Sequence, residues 1–358
     1  MEDVQMKKDA IWAYLIHLSY HMWDDPHTVC VDWYVDNPYT ECNGTDMKTW
    51  DSVVKYVAEC GYNALVIDVG DGIKYESVKD VSAPDAWDKD LLRRKLREAR
   101  DLGLEVIPKL NFSCAHHTWL KRYGRMIGTE EYYFTCAKLI KEVLEVFDYP
   151  RLIHFGMDEE RQVSAIERRG IHVIRGNDVW WHDMFFYFRE AEKYGATPWV
   201  WSDFYWRNSE SFIKNMPKSA IQSNWYYARF RSYKPDDISN KRISTYEELD
   251  RLGFKQIPCV STCRGFDGGE LNSVQTILHA EKKLTEERVL GFMMAPWRNT
   301  VPLEEHYLKD AALRLADARD KVLSGSFRSL MGLDPTVSSD IILNPGFTGA
   351  AGGGAEEQ

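Results

Sequence analysis

The sequence predicts a single α/β domain folded as a (β/α)8 TIM barrel. Three observations carry that reading. Eight apolar runs of seven or eight residues recur along the chain, and longer stretches with helical periodicity separate most of them. Strands that alternate with helices form parallel sheets, and eight such units close into a barrel. The chain has 358 residues, which is long for one domain unless the fold is a barrel. The alternative, an open doubly wound sheet, calls for a Gly-rich phosphate turn after an early strand, and Gly70-Asp71-Gly72 is a poor match.

The elements follow in order. The first strand is 11–18, IWAYLIHL. A turn-rich segment comes next, with Asp24-Asp25-Pro26, Asn37-Pro38 and Asn43-Gly44. Thr45 or Asp46 caps a helix over 47–60, and Gly61 closes it. The second strand is 64–70. Its helix, 88–102, has Leu91, Leu92, Leu96 and Ala99 at helical spacing and stops at Gly103. The third strand, 105–112, runs into the loop SCAHHTW and a helix over 129–147. The fourth, 151–157, runs into Asp158, Glu159 and Glu160. A loop with Arg168, Arg169 and Gly170 leads to a helix over 178–194. The fifth and sixth strands, 197–203 and 220–226, follow with no helix assigned between them. Helices over 245–252 and 270–286 precede the seventh and eighth strands, 255–261 and 289–296. A last helix covers 303–323. The barrel therefore spans 1–330. Residues 331–358 form a C-terminal extension with a low-complexity tail, GFTGAAGGGAEEQ, expected to be disordered.

Composition narrows the function. The net charge of -10 argues against a nucleic-acid or anionic-membrane partner and suits an enzyme of a neutral or cationic small substrate. No apolar stretch reaches the roughly 18 residues that span a membrane. The start, MEDVQMKKDA, lacks the apolar core of a secretory signal, so a cytoplasmic protein or a trimmed chain is expected. The seven cysteines are scattered and odd in number, as in a cytosolic protein with reduced thiols, and Cys259-x-x-x-Cys263 lacks the second pair of a zinc site. No metal or cofactor is expected. A homodimer is left open.

Active sites of such barrels lie at the C-terminal ends of the strands. The residues there are His17 and Tyr20, Asp68 and Asp71, Asn111, His116 and His117, then Asp158 and Glu159. Trp201, Asp203 and Trp206 follow, then Asn224, Trp225 and Tyr226, Thr262 and Arg264, and Trp297, Arg298 and Asn299. This ring of acids, amides and indoles reads as a sugar pocket, because flat aromatic faces pack on the C–H faces of sugar rings. The chain's 13 Trp, 19 Tyr and 15 Phe are enough to line one as well as fill a core. Adjacent His116 and His117 seldom both ligate one ion, so sugar contact or structure is expected of them. Glu160 reads as a solvated charge at the start of a loop. Arg264 and Arg298 read as partners of nearby acids, with an acidic sugar group as the alternative.

The segment His154-Phe-Gly156-Met-Asp158-Glu159 resembles the H-x-G-x-D-E motif of glycoside hydrolase family 20, the β-N-acetylhexosaminidases. Trp201-Ser-Asp203, Gln222-Ser-Asn-Trp225 and Gly291-Phe-Met-Met-Ala-Pro-Trp297 resemble other strand ends of that family. The resemblance implies a (β/α)8 barrel and substrate-assisted retaining hydrolysis. Glu159 is then the general acid and base, kept protonated by its surroundings. Asp158 holds the substrate's 2-acetamido group, the nucleophile, which explains how two adjacent acids suffice. His154 supports the loop, and Gly156 permits close backbone approach. Trp201, Trp225 and Trp297 wall the sugar, and His17, His116, Asp203, Tyr226 and Asn299 complete the expected substrate contacts.

The chain also departs from the family. The family's strand-one Arg is absent from His17-Leu-Ser-Tyr20-His21, and Trp297-Arg298-Asn299 stands where the family has Trp-x-Glu. The small α/β domain that precedes the family's barrel is expected to be absent, since only ten residues stand before the first strand. The catalytic half is thus better matched than the recognition half, which leaves room for a different sugar. Two alternatives follow: a conventional glycosidase with Glu159 as acid and Asp203 as base or nucleophile, and a sugar-binding protein of weak activity.

Overall fold

The computed structural model describes residues 9–22, 42–161, 173–231, 233–262 and 269–327. Eight parallel strands form one sheet: β1 (Ile11–His17), β2 (Ala64–Asp68), β3 (Glu105–Lys109), β4 (Leu152–His154), β5 (Thr197–Trp201), β6 (Ile221–Ser223), β7 (Cys259–Val260) and β8 (Gly291–Met294). Their spatial order is β6-β5-β4-β3-β2-β1-β8-β7. Parallel bridges from Gln222 to Gln256 and from Trp225 to Cys259 join the two ends of this sheet and close the barrel. The predicted fold class is therefore correct.

The helices are α1 (Met47–Glu59), α2 (Lys89–Asp101), α3 (Glu130–Val146), α4 (Asn177–Glu192), α5 (Phe204–Asn215), α6 (Ile238–Arg251), α7 (Gly269–Lys283) and α8 (Glu305–Ser324). Asp46 is the cap of α1, accepting the Thr49 N–H at 2.8 Å. One helix, α5, has no counterpart among the predicted elements. Its buried Tyr205 and Phe212 sit two turns apart, but Asn208, Ser209 and Ser211 weaken the local helical signal, and the helix kinks at Asn208. The observed α6 begins seven residues before the predicted 245, capped by Asp237 onto Ser239 N–H at 2.8 Å.

Strand alternation sorts the apolar residues into two layers. Ile11, Ala13, Leu15, Val66, Ile107 and Met293 fill the barrel interior. Tyr14, Ile16, Leu65 and Ile67 point outward and pack in the shell beneath the helices. At the upper end the interior turns polar. His17, Asp68, Lys109 and His154 occupy one register across β1 to β4. That polar ring is the floor of the site.

The strands are shorter than the apolar runs that predict them; β4, for example, ends at His154, before the turn that carries Asp158 and Glu159. Among the described residues no helix is long and apolar enough to cross a membrane. Cys60, Cys136 and Cys259 carry free thiols. The C-terminal extension 331–358, Arg168, Arg169, Gly170, Arg264, Cys30 and Cys263 lie outside the described residues.

Candidate active site

The segment after β4 is built as a left-handed turn. Gly156, Met157 and Glu159 have φ of +68°, +68° and +54°. Such values are costly for Met and Glu, and the surroundings must impose them. At Gly156 the reason is steric: a Cβ there would lie 2.1 Å from Asn111 Cγ. Hydrogen bonds hold the rest. His154 Nδ1 accepts the Gly156 N–H at 2.9 Å, and Asn111 Oδ1 accepts that of Met157 at 3.1 Å. Ser113 Oγ donates to the Asp158 carbonyl. Asp203 Oδ2 accepts the Glu159 N–H at 2.8 Å.

This turn separates two adjacent acids. Asp158 is buried and accepts Asn111 Nδ2 at 2.8 Å. Glu159 faces a cleft with its side chain 26% exposed. His116 stands between them, Nδ1 3.4 Å from Asp158 Oδ1 and Nε2 3.6 Å from Glu159 Oε2. These three side chains offer ligand atoms within 4.8 Å of one another. The same imidazole lies between the two carboxyls, where it can exchange a proton with either. Burial first, then repulsion from Asp203 and Glu159, pushes the Asp158 carboxyl up to about 8. Burial also raises Asp203, to about 6, against the opposing Glu159 N–H bond.

The floor is held by a buried cation that sequence patterns do not flag. Lys109 is fully buried, donates to Asp68 and lies 5.8 Å from the Trp297 ring centre. Burial, with Lys109 adding to it, keeps His17 and His154 well below the usual imidazole range, so both are neutral. Trp201 and Trp297 approach at 5.9 Å, and Trp201 packs on His154 at 4.7 Å. Trp297 takes φ of +52°, and Tyr20 OH donates to its carbonyl at 2.8 Å. Trp225 stacks on Tyr227 at 5.1 Å and meets Trp206 edge-on at 4.6 Å. Asn299 is half-buried just beyond Trp297.

Three expectations need correction. Tyr226 points away from the pocket: its ring packs on Phe230 in the shell, and its hydroxyl meets Tyr233. Alternation from Ile221 puts Ser223, Trp225 and Tyr227 on the inner face instead, so Tyr227 is the missed wall residue. Glu160 is not a solvated charge. Its carboxylate accepts the Cys114 N–H at 2.8 Å and Arg175 Nη1 at 3.1 Å, both oxygens engaged. Arg175, also unflagged by sequence, bonds Asp183 at 2.6 Å, the Phe112 carbonyl at 3.0 Å, and the hydroxyls of Tyr132 and Tyr187. This buried hub anchors the far end of the turn after β4. Finally, the carboxyl that burial raises is that of Asp158, whereas the resemblance implies a protonated Glu159. Arg298 pairs with Glu304 at 3.3 Å, as expected of a structural arginine.

No family model and no curated protein matches the chain in sequence. Solved structures match it in fold. A β-N-acetylhexosaminidase from Bacteroides fragilis superposes with a TM-score of 0.59 at 12% identity, over 92% of this chain and 72% of that one. The GH20 β-N-acetylhexosaminidase from Streptomyces coelicolor A3(2) gives 0.55 at 13%, over 90% and 69%. Dispersin B gives 0.53 at 14%, over 88% and 98%. At these identities the likeness is one of fold, and the barrel described above is the fold this chain shares with β-N-acetylhexosaminidases.

Proposed function

We propose that this chain is a glycoside hydrolase that removes a terminal β-linked N-acetylhexosamine with retention of configuration. The observation that carries the reading is the turn that buries Asp158 beneath the pocket and aims Glu159 into the cleft, with His116 between them. The neighbours in fold are named as β-N-acetylhexosaminidases, which supports the same reading.

In this mechanism Glu159 gives its proton to the glycosidic oxygen. The substrate's acetamido oxygen attacks the anomeric carbon as the bond to the leaving alcohol breaks. Asp158 accepts the acetamido N–H and, in its ionised form, stabilises the positive charge that builds on the cyclised group. Water then attacks the same carbon, gives its proton to Glu159, and opens the ring. Trp201, Trp225, Tyr227 and Trp297 exclude water and pack on the sugar.

The conventional two-carboxylate alternative needs a second acid across the ring from Glu159. Asp203 is held on the Glu159 backbone N–H at 2.8 Å, on the acid's own side, which disfavours it as nucleophile. A panel of aryl glycosides tests the choice. Turnover of the 2-acetamido sugar, inhibition by a thiazoline mimic of the cyclised group and loss of activity in Glu159→Gln are expected. Equal turnover of sugars without the acetamido group sinks this mechanism. Tight sugar binding without turnover makes the chain a binding protein instead.

A further inference from the structure

Two arginines stand near Glu159, each with a buried Nε that makes no hydrogen bond among the described residues. Arg161 Nη2 lies 3.8 Å from Glu159 Oε1, a long contact that weakens further once Glu159 carries the proton it must donate. Arg242, from α6, sits over the rings of Trp206 at 4.7 Å and Trp225 at 5.4 Å. A buried donor left unmade is costly. Burial also lowers Arg242 from the usual guanidinium range, and the like charge of Arg161 adds to this. An oxyanion set against the two guanidiniums relieves both costs, since their planar forks match carboxylate and sulfate geometry.

The position of this pair says which part of a substrate it meets. The cleft is lined by Glu159, Arg161, Asp203, Trp206, Arg207 and Trp225. Asp158, Trp201 and Trp297, which hold the released sugar in the reading above, belong to the floor and wall instead, and Trp225 borders both regions. Glu159 stands between the two regions, as the acid at a scissile oxygen must. Arg161 lines this cleft and Arg242 packs over two of its rings, Trp206 and Trp225, so both guanidiniums flank the cleft side of Glu159, the side left for the leaving group.

We propose that Arg161 and Arg242 form an anion subsite for the leaving group, so that preferred substrates carry a carboxylate or sulfate next to the scissile bond. The proposal rests on the glycosidase reading above. It also sets the cleft apart from the chain as a whole, whose net charge of -10 favours neutral or cationic partners.

The test uses paired N-acetyl-β-glucosaminides with 4-carboxyphenyl, 4-sulfophenyl and 4-carbamoylphenyl leaving groups. The quantity read is the ratio of kcat/KM for each anionic substrate to that for the neutral one, which cancels effects common to both. Arg242→Gln is expected to lower the ratio about tenfold. Arg242→Lys keeps the charge without the fork, is expected to retain part of the preference, and guards against a folding defect. The larger effect, on carboxylate or on sulfate, identifies the anion. A ratio unchanged in both variants overturns the proposal. Calorimetry with inorganic sulfate and with benzoate supplies a readout independent of turnover. Binding that is lost in Arg242→Gln supports the subsite even if no glycoside is hydrolysed, in which case only the glycosidase reading fails. Binding indifferent to Arg242 overturns the subsite.

Discussion

Asp203 accepts the backbone N–H of Glu159 at 2.8 Å, so the second residue past β5 holds the acid that follows β4. That bond fixes a glutamate at φ of +54°, where it does not rest unaided. An amide oxygen can accept the same N–H, whereas a methyl group cannot. Asp203→Asn is therefore expected to lower kcat by less than about tenfold, and Asp203→Ala by about a hundredfold, with KM little changed. Steady-state kinetics on an N-acetylhexosaminide separates the two. If the Asn and Ala variants are equally inactive, Asp203 works as a carboxylate, and the positioning role is wrong.

Asp158 ties the site to stability. Its carboxyl is raised to about 8 in the folded chain from an ordinary 3.8. Below the unfolded value both states are protonated and no cost arises. As pH rises towards 8, the unfolded chain releases this proton while the folded chain keeps it. Stability then falls, by at most about 1.4 kcal/mol per pH unit for one proton, and levels off above the folded value. Asp203, raised to about 6, adds a shorter loss in the same direction. Asp158→Asn removes the larger contribution and keeps an acceptor for Asn111. Denaturant unfolding from pH 5 to 8 should show the variant gaining on the parent steadily. Parallel curves over that window refute the buried, neutral carboxyl.

The contact between Gly156 and Asn111 predicts a coupled pair. A methyl at 156 would meet the Asn111 side chain at 2.1 Å and would also sit at φ of +68°. Gly156→Ala is expected to cost about 3 kcal/mol, part from crowding and part from backbone strain. Asn111→Ala removes the obstacle but leaves Asp158 and the Met157 N–H without their partner. The double variant should recover about 1–2 kcal/mol relative to the sum of the singles, as contacting residues do. Additive costs in chemical unfolding would mean that strain at 156 alone requires the glycine.

The barrel was legible because its signal is local. Apolar runs mark strands, Asp46, Gly61 and Gly103 punctuate helices, and Asp158 and Glu159 follow an apolar run directly. What stayed hidden depends on closure. Lys109 lies inside EVIPKLNF, where a lysine reads as the exposed side of a strand, and it becomes a floor cation only when β2 brings Asp68 beside it. Arg175 is 15 residues from Glu160, and nothing in that spacing links them. Arg242 is one cation among many on a polar helix until Trp206 and Trp225 arrive beneath it. The α5 helix was obscured by its own Asn and Ser residues.

Tyr226 differs from these, since its error was one of phase and the signal was present. Counting by twos from Ile221 reaches Trp225 and Tyr227, and leaves Tyr226 outside. The two tyrosines should therefore part company on mutation. Tyr227 stacks on Trp225 at 5.1 Å and accepts Trp297 Nε1 at 3.3 Å. Tyr227→Ala removes one wall of the pocket, and a lost aromatic contact of about 1 kcal/mol raises KM several-fold. Tyr226→Ala opens a hole in the shell against Phe230 and should cost about 3 kcal/mol of stability. Its folded fraction should keep a KM close to the parent's. Measuring both quantities on both variants checks the register directly, because a slip of one residue exchanges the two outcomes.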